Sequence, residues 1–95
     1  MITSKVIITK SAEKQATRAP QYIRDNLLYW KKEVELFGIQ AIRQHKGYHD
    51  EPLKGKRLGE RSIRLSRQWR AFYLEKKNGI IEIYVLEVTP HEYKK

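Results

Sequence analysis

The chain has 95 residues, 40% of them apolar, with two Trp, six Tyr and two Phe, which is enough for one small core and sets a single domain over residues 1–95. Twenty Lys and Arg against eleven Asp and Glu leave a formal charge of +9, which favours a polyanionic partner, nucleic acid above all, through counterion release. No cysteine is present, so disulfide frameworks, thiol catalysis and cysteine-based zinc sites are excluded; no apolar run is long enough to span a membrane or to form the core of a signal peptide, and a cytoplasmic protein is expected.

Lys5 to Thr9 is a β-branched run and predicts a first strand. Ser11 is the expected cap of a short helix running to Arg18, with Glu13 in the first turn, where the helix dipole favours an acid. Pro20 suits the start of a second helix. Ile23, Leu27, Trp30, Val34 and Phe37 then recur at spacings of 4, 3, 4 and 3, an apolar stripe that predicts core packing. Gly38 is a plausible helix terminator, and Ile39 to Gln44 can add a turn or two.

The second half changes period. Ser62 to Ser66 alternates as a strand does, and Trp69 to Lys76 predicts another. Asn78-Gly79 is a strong hairpin signal, with Ile80 to Val88 as the returning strand. A two-residue loop there faces Phe72 with Val85, Leu74 with Ile83 and Tyr73 with Tyr84, and sets Arg70 opposite Glu87. Pro90 forces Thr89 extended, and His91 to Lys95 form a short exit. The expected architecture is α+β: an N-terminal strand and two to three helices packed on one face of a small antiparallel sheet.

Charge is concentrated. Residues 54–70 carry Lys54, Lys56, Arg57, Arg61, Arg64, Arg67 and Arg70 against Glu60 alone, a net +6 that is two thirds of the whole excess. Ile63, Leu65 and Trp69 anchor this stretch to a core, so it reads as a structured basic patch and not as a tail.

Few residues can carry chemistry. His45 and His49 have the i, i+4 spacing of a metal pair, but Gly47 lies between them and no Glu completes a ligand set, so no metal and no cofactor is expected. Lys54 to Gly59 lacks the helix that a phosphate-binding loop requires. What remains is a carboxylate, Glu51, a strand arginine, Arg70, and His91 with Tyr93 at the exit of the last strand. In an antiparallel pair the start of one strand lies beside the end of the next, so Arg70 and the exit can converge. Carboxylate, guanidinium and imidazole are the groups that RNA cleavage by 2′-hydroxyl attack needs as base, transition-state cation and acid. The same residues also have plain readings: Glu51 as a solvated loop acid, Arg70 and Glu87 as a cross-strand ion pair, His91 and Tyr93 as exposed tail.

Tyr48-His49-Asp50-Glu51-Pro52-Leu53-Lys54-Gly55, Arg61 to Leu65, Trp69 to Tyr73 and Glu87 to Tyr93 together resemble the RelE superfamily of type II toxin–antitoxin toxins, nearest to the YoeB-like and HigB-like branches. The resemblance implies a ribosome-dependent mRNA endonuclease, or mRNA interferase, that acts on mRNA in the ribosomal A site, contacts ribosomal RNA and is neutralised by a cognate antitoxin. It implies Glu51 as general base, Arg70 as transition-state stabiliser, His91 as acid, Tyr93 as a stacking or positioning group, and Lys54 and Arg64 as phosphate contacts. Lys56, Arg57 and Arg61 complete the expected RNA-binding patch. One departure is Glu92, which separates His91 from Tyr93, whereas the YoeB pattern has the two adjacent; residues two apart share a strand face, so the two roles can be swapped or shared. Two other readings remain open: a non-catalytic toxin of the same fold, as in the ParE-like branch that inhibits DNA gyrase, and a basic nucleic-acid-binding module.

Overall fold

The structure is a computed structural model that describes residues 4–90. Strand β1 (Ser4–Ile8) runs into α1 (Lys10–Arg18), α2 (Gln21–Phe37) and α3 (Ile39–Arg43). After a 3-10 turn at Lys46–Tyr48 come β2 (Glu51–Pro52), a second 3-10 turn at Gly55–Arg57, β3 (Glu60–Arg64), β4 (Trp69–Asn78) and β5 (Ile80–Pro90). The five strands form one sheet in the order β1-β5-β4-β3-β2. The expected α+β arrangement is present, with helices on one face. The meander β2 to β5 is antiparallel, and β1 adds to β5 in parallel, which makes the sheet mixed.

Local chemistry starts and stops the helices. Thr9, not Ser11, caps α1: its hydroxyl accepts from the Ala12 amide at 3.2 Å and donates to the Val85 carbonyl at 2.9 Å. Thr9 follows β1 directly, so one side chain closes the strand, opens the helix and ties both to β5. Gly38 ends α2 with φ +87, a conformation that glycine adopts without strain, and its amide donates to Val34 at 2.8 Å. Ile23, Leu27, Trp30 and Val34 are buried as the stripe predicts, but Phe37 is 65% exposed. A 4-3-4-3 spacing drifts around a 3.6-residue helix, and by the last turn Ile39, beyond the Gly38 bend, has taken the core position.

The hairpin corrects the sequence reading. Asn78 pairs with Ile80 across Gly79, so the register is shifted by one residue from a two-residue loop. Tyr73 pairs with Val85 and Leu74 with Tyr84; an irregularity between Phe72 and Tyr73 then sets Phe72 opposite Glu87 and Arg70 opposite Thr89. A one-residue shift turns every side chain to the other face. Ala71 and Tyr73 therefore enter the core with Ile83, Val85 and Val88, while Phe72 and Leu74 lie on the face without helices. The Val88 amide, just past the irregularity, donates to Gln15 Oε1 of α1 at 2.7 Å. Among the described residues no helix is long and apolar enough to cross a membrane.

Trp30 is fully buried and packs its ring 5.4 Å from that of Tyr73, joining α2 to β4 at the centre of the core. Trp30→Ala should cost about 3–5 kcal/mol of folding stability, read as a lowered urea midpoint with little change in slope.

Candidate functional site

The open face of the sheet is built by strand alternation. Glu51 pairs with Ser62, Ser62 with Phe72 and Phe72 with Glu87, so these four side chains form one row across β2 to β5. Two residues further along, Arg64 pairs with Arg70 and Arg70 with Thr89, which makes a second row on the same face. By strand geometry the rows lie roughly 7 Å apart, and Glu51 is two strands, about 10 Å, from β4. Long guanidinium side chains span such gaps.

Polar atoms on this face are left over. Arg64 Nε, Arg70 Nη1 and the Ser62 hydroxyl are buried and have no hydrogen-bond partner among the described residues. Ser62 itself is 2% exposed. An unpaired buried donor costs on the order of 1–3 kcal/mol, so three at one place mark a site shaped for acceptors that arrive from outside. Ser62 was not among the residues singled out from the sequence. A lone serine in a strand gives no signal there; its neighbours on the next two strands give it one.

The other half of the open face is closed. Arg57, from the 3-10 turn after β2, lies over the Phe72 ring at 4.5 Å. Its guanidinium donates to Glu60 Oε1 at 2.8 Å and also binds Glu87. These two carboxylates offset the partial burial of Arg57 and raise its already high pKa. Glu87 is therefore the partner of Arg57, and the Arg70–Glu87 ion pair of the sequence reading does not form.

Arg61 points to the helix side. Its Nε donates to Asp50 Oδ1 at 2.5 Å, and the Asp50 side chain is only 1% exposed. The other Asp50 oxygen accepts from the Tyr73 hydroxyl at 2.5 Å, which in turn accepts from Arg43 Nε at 3.1 Å. Arg43 also binds Glu75 at 2.6 Å. Burial first, and then the bond to Asp50, push the Tyr73 hydroxyl above its ordinary range, so it remains a proton donor. Of the five residues expected to bind RNA, Lys54 and Lys56 are exposed, Arg64 lines the open face, and Arg57 and Arg61 are held by carboxylates of the fold.

Glu51 is exposed at the sheet edge, and a cleft of about 420 Å³ lies beside it, lined also by Arg43, His45, Lys46 and His49. Among the described residues no group of three or more His, Asp or Glu side chains is placed to hold a metal. The expected acid His91 and its neighbour Tyr93 lie outside the described residues. The chain reaches them from Pro90, opposite Trp69 and next in register to the Arg70–Thr89 pair.

No family model and no curated relative matches the sequence. Solved structures do match. YafQ from E. coli superposes with a TM-score of 0.73 at 13% identity, over 93% of both chains. The RelE–RelB complex of Pyrococcus horikoshii gives 0.68 at 22% identity, over 94% of this chain and 96% of that one. A YoeB/ParE toxin from Agrobacterium tumefaciens gives 0.65 at 19% identity, over 93% of this chain and 99% of that one. With its N-terminal strand, helical layer and open sheet face, this chain has the fold of the RelE, YoeB and YafQ toxins.

Proposed function

We propose that this protein is the toxin of a type II toxin–antitoxin pair and acts as a ribosome-dependent mRNA endonuclease. The observation that carries the reading is the cluster of Arg64 Nε, Arg70 Nη1 and the Ser62 hydroxyl, buried and without partners among the described residues, on the face that also bears Glu51. Phosphate oxygens are acceptors of the kind such a cluster lacks, and guanidinium groups bind them with charge-assisted hydrogen bonds. Similar solved structures support the partner as well: RelE from Pyrococcus horikoshii and YafQ from E. coli occur in complexes with the antitoxins RelB and DinJ.

The chemistry closes on side chains alone. Glu51 removes the proton of a ribose 2′-hydroxyl, and the 2′-oxygen attacks the adjacent phosphorus. Arg70, with Arg64, balances the charge that grows on the non-bridging oxygens. The bond from phosphorus to the 5′-oxygen breaks, and that oxygen takes a proton from His91, whose ordinary pKa of about 6.5 suits an acid near neutral pH. The products are a 2′,3′-cyclic phosphate and a 5′-hydroxyl end. Tyr93, two residues on from His91, stacks a base or positions the phosphate.

The test is a reconstituted translation reaction with mapping of mRNA ends. Wild-type protein should cut mRNA only with ribosomes present. Arg70→Ala should slow cleavage by roughly 10²–10³-fold, and His91→Ala by about 10²–10⁴-fold, with ribosome affinity little changed. Uncut mRNA at growth-arresting protein levels would return the fold to its non-catalytic uses.

A separate expectation divides the basic patch. Replacing Lys54 and Lys56 by Gln should weaken ribosome binding and lower its salt slope by about 1 per lysine. Arg57→Ala should instead cost about 1 kcal/mol of stability, modest because the side chain is 40% exposed, by stranding Glu60 and Glu87. Salt titrations and urea denaturation of both variants separate the two effects.

A further inference from the structure

Glu51 sits on a strand that cannot hold itself in place. β2 is two residues long, both are exposed, and beyond its pairing with β3 the next tie is the Leu53 amide donating to the Glu60 carbonyl at 2.9 Å. The residue just before it is the opposite case. The Asp50 side chain is 1% exposed, and its two oxygens are taken by Arg61 Nε of β3 and the Tyr73 hydroxyl of β4, each at 2.5 Å. Both partners lie on the helix side of the sheet, where Tyr73 is fully buried against Trp30.

We propose that the Asp50–Tyr73–Arg61 cluster is the positioning device for Glu51. Adjacent strand residues point to opposite faces, so a carboxylate locked into the helix side obliges the next one to face the open side, in the row of Ser62 and on the same face as Arg64 and Arg70. A slip of one residue would reverse the two carboxylates and bury the base. The geometry of the approach adds to the need for a lock. His49 leads toward β2 at φ +50, a left-handed conformation that few non-glycine residues adopt; its amide closes the 3-10 turn on the Lys46 carbonyl at 3.1 Å, and the Asp50 bonds fix the next residue.

The charges within the cluster are matched. Arg43 and Arg61 face Asp50 and Glu75, with the neutral Tyr73 hydroxyl between Arg43 and Asp50. Asp50 is thereby a structural carboxylate, with both oxygens occupied by the fold, and Arg61 is spent on it and not on RNA. The inference rests on the reading of Glu51 as the general base; Asp50, Tyr73 and Arg61 touch no substrate and act through it.

The experiment compares Tyr73→Phe and Asp50→Asn, alone and combined with Glu51→Ala. Tyr73→Phe keeps the ring against Trp30 and removes only the hydroxyl. Each single variant should lower kcat for ribosome-dependent cleavage at least tenfold with KM nearly unchanged, and should have no further effect once Glu51 is Ala. Amide exchange at Leu53 should accelerate about tenfold while Ile83 and Val85 remain protected. Wild-type turnover in Tyr73→Phe and Asp50→Asn, or an undiminished loss in the Glu51→Ala background, would overturn the proposal. If the wild-type protein cleaves nothing, the proposed function fails on its own. Leu53 exchange then decides the lock alone, unchanged rates overturning it and faster rates upholding it.

Discussion

Tyr73 joins three parts of the molecule at one side chain. Its ring meets Trp30 of α2 in the centre of the core, and its hydroxyl accepts from Arg43 at the end of α3 and donates to Asp50 just before β2. Helical layer, sheet and edge loop are thus referred to one side chain. Burying a hydroxyl without partners is costly, so the same burial that makes the ring useful to the core demands Arg43 and Asp50 at fixed positions. The arrangement of the sheet edge, and of Glu51 on it, follows from satisfying that one oxygen.

The arginines divide by the company they keep. On the helix side Arg43 and Arg61 are matched by Glu75 and Asp50, and on the open face Arg57 is matched by Glu60 and Glu87. Arg64 and Arg70 each retain a buried nitrogen without a partner among the described residues. A fold selected for stability alone would supply acceptors there, since buried polar groups elsewhere in proteins are nearly always paired. Where the chain withholds carboxylates is therefore as informative as where it provides them.

Much of the fold was legible in local patterns. The stripe from Ile23 to Val34 placed α2 because a helix of four turns repeats its signal enough times to outweigh one misfit at Phe37. Asn78-Gly79 marked the hairpin correctly. The register was not legible, because apolar or aromatic residues stand at both parities of β4: Phe72 and Leu74 could have faced the core as well as Ala71 and Tyr73. What decided it is nonlocal. Tyr73 finds Trp30, Arg43 and Asp50 on the helix side, while Phe72 finds the guanidinium of Arg57 on the other.

The sequence by itself determined the class of fold, the order of its longer helices and strands though not the short β2, the surplus of cations in residues 54–70 and the short list of candidate groups for acid–base chemistry. Each of these is a property of composition or of period along the chain. Only the tertiary structure decided which cations are free. Arg57, Arg61, Arg64 and Arg70 are alike in sequence, and a charge count treats them as one patch; strand alternation and pairing send Arg61 to Asp50, Arg57 to Glu60 and Glu87, and leave Arg64 and Arg70 side by side on the open face. The reason is that a salt bridge depends on distance in space, and the partners of these arginines lie as far as thirty residues away along the chain.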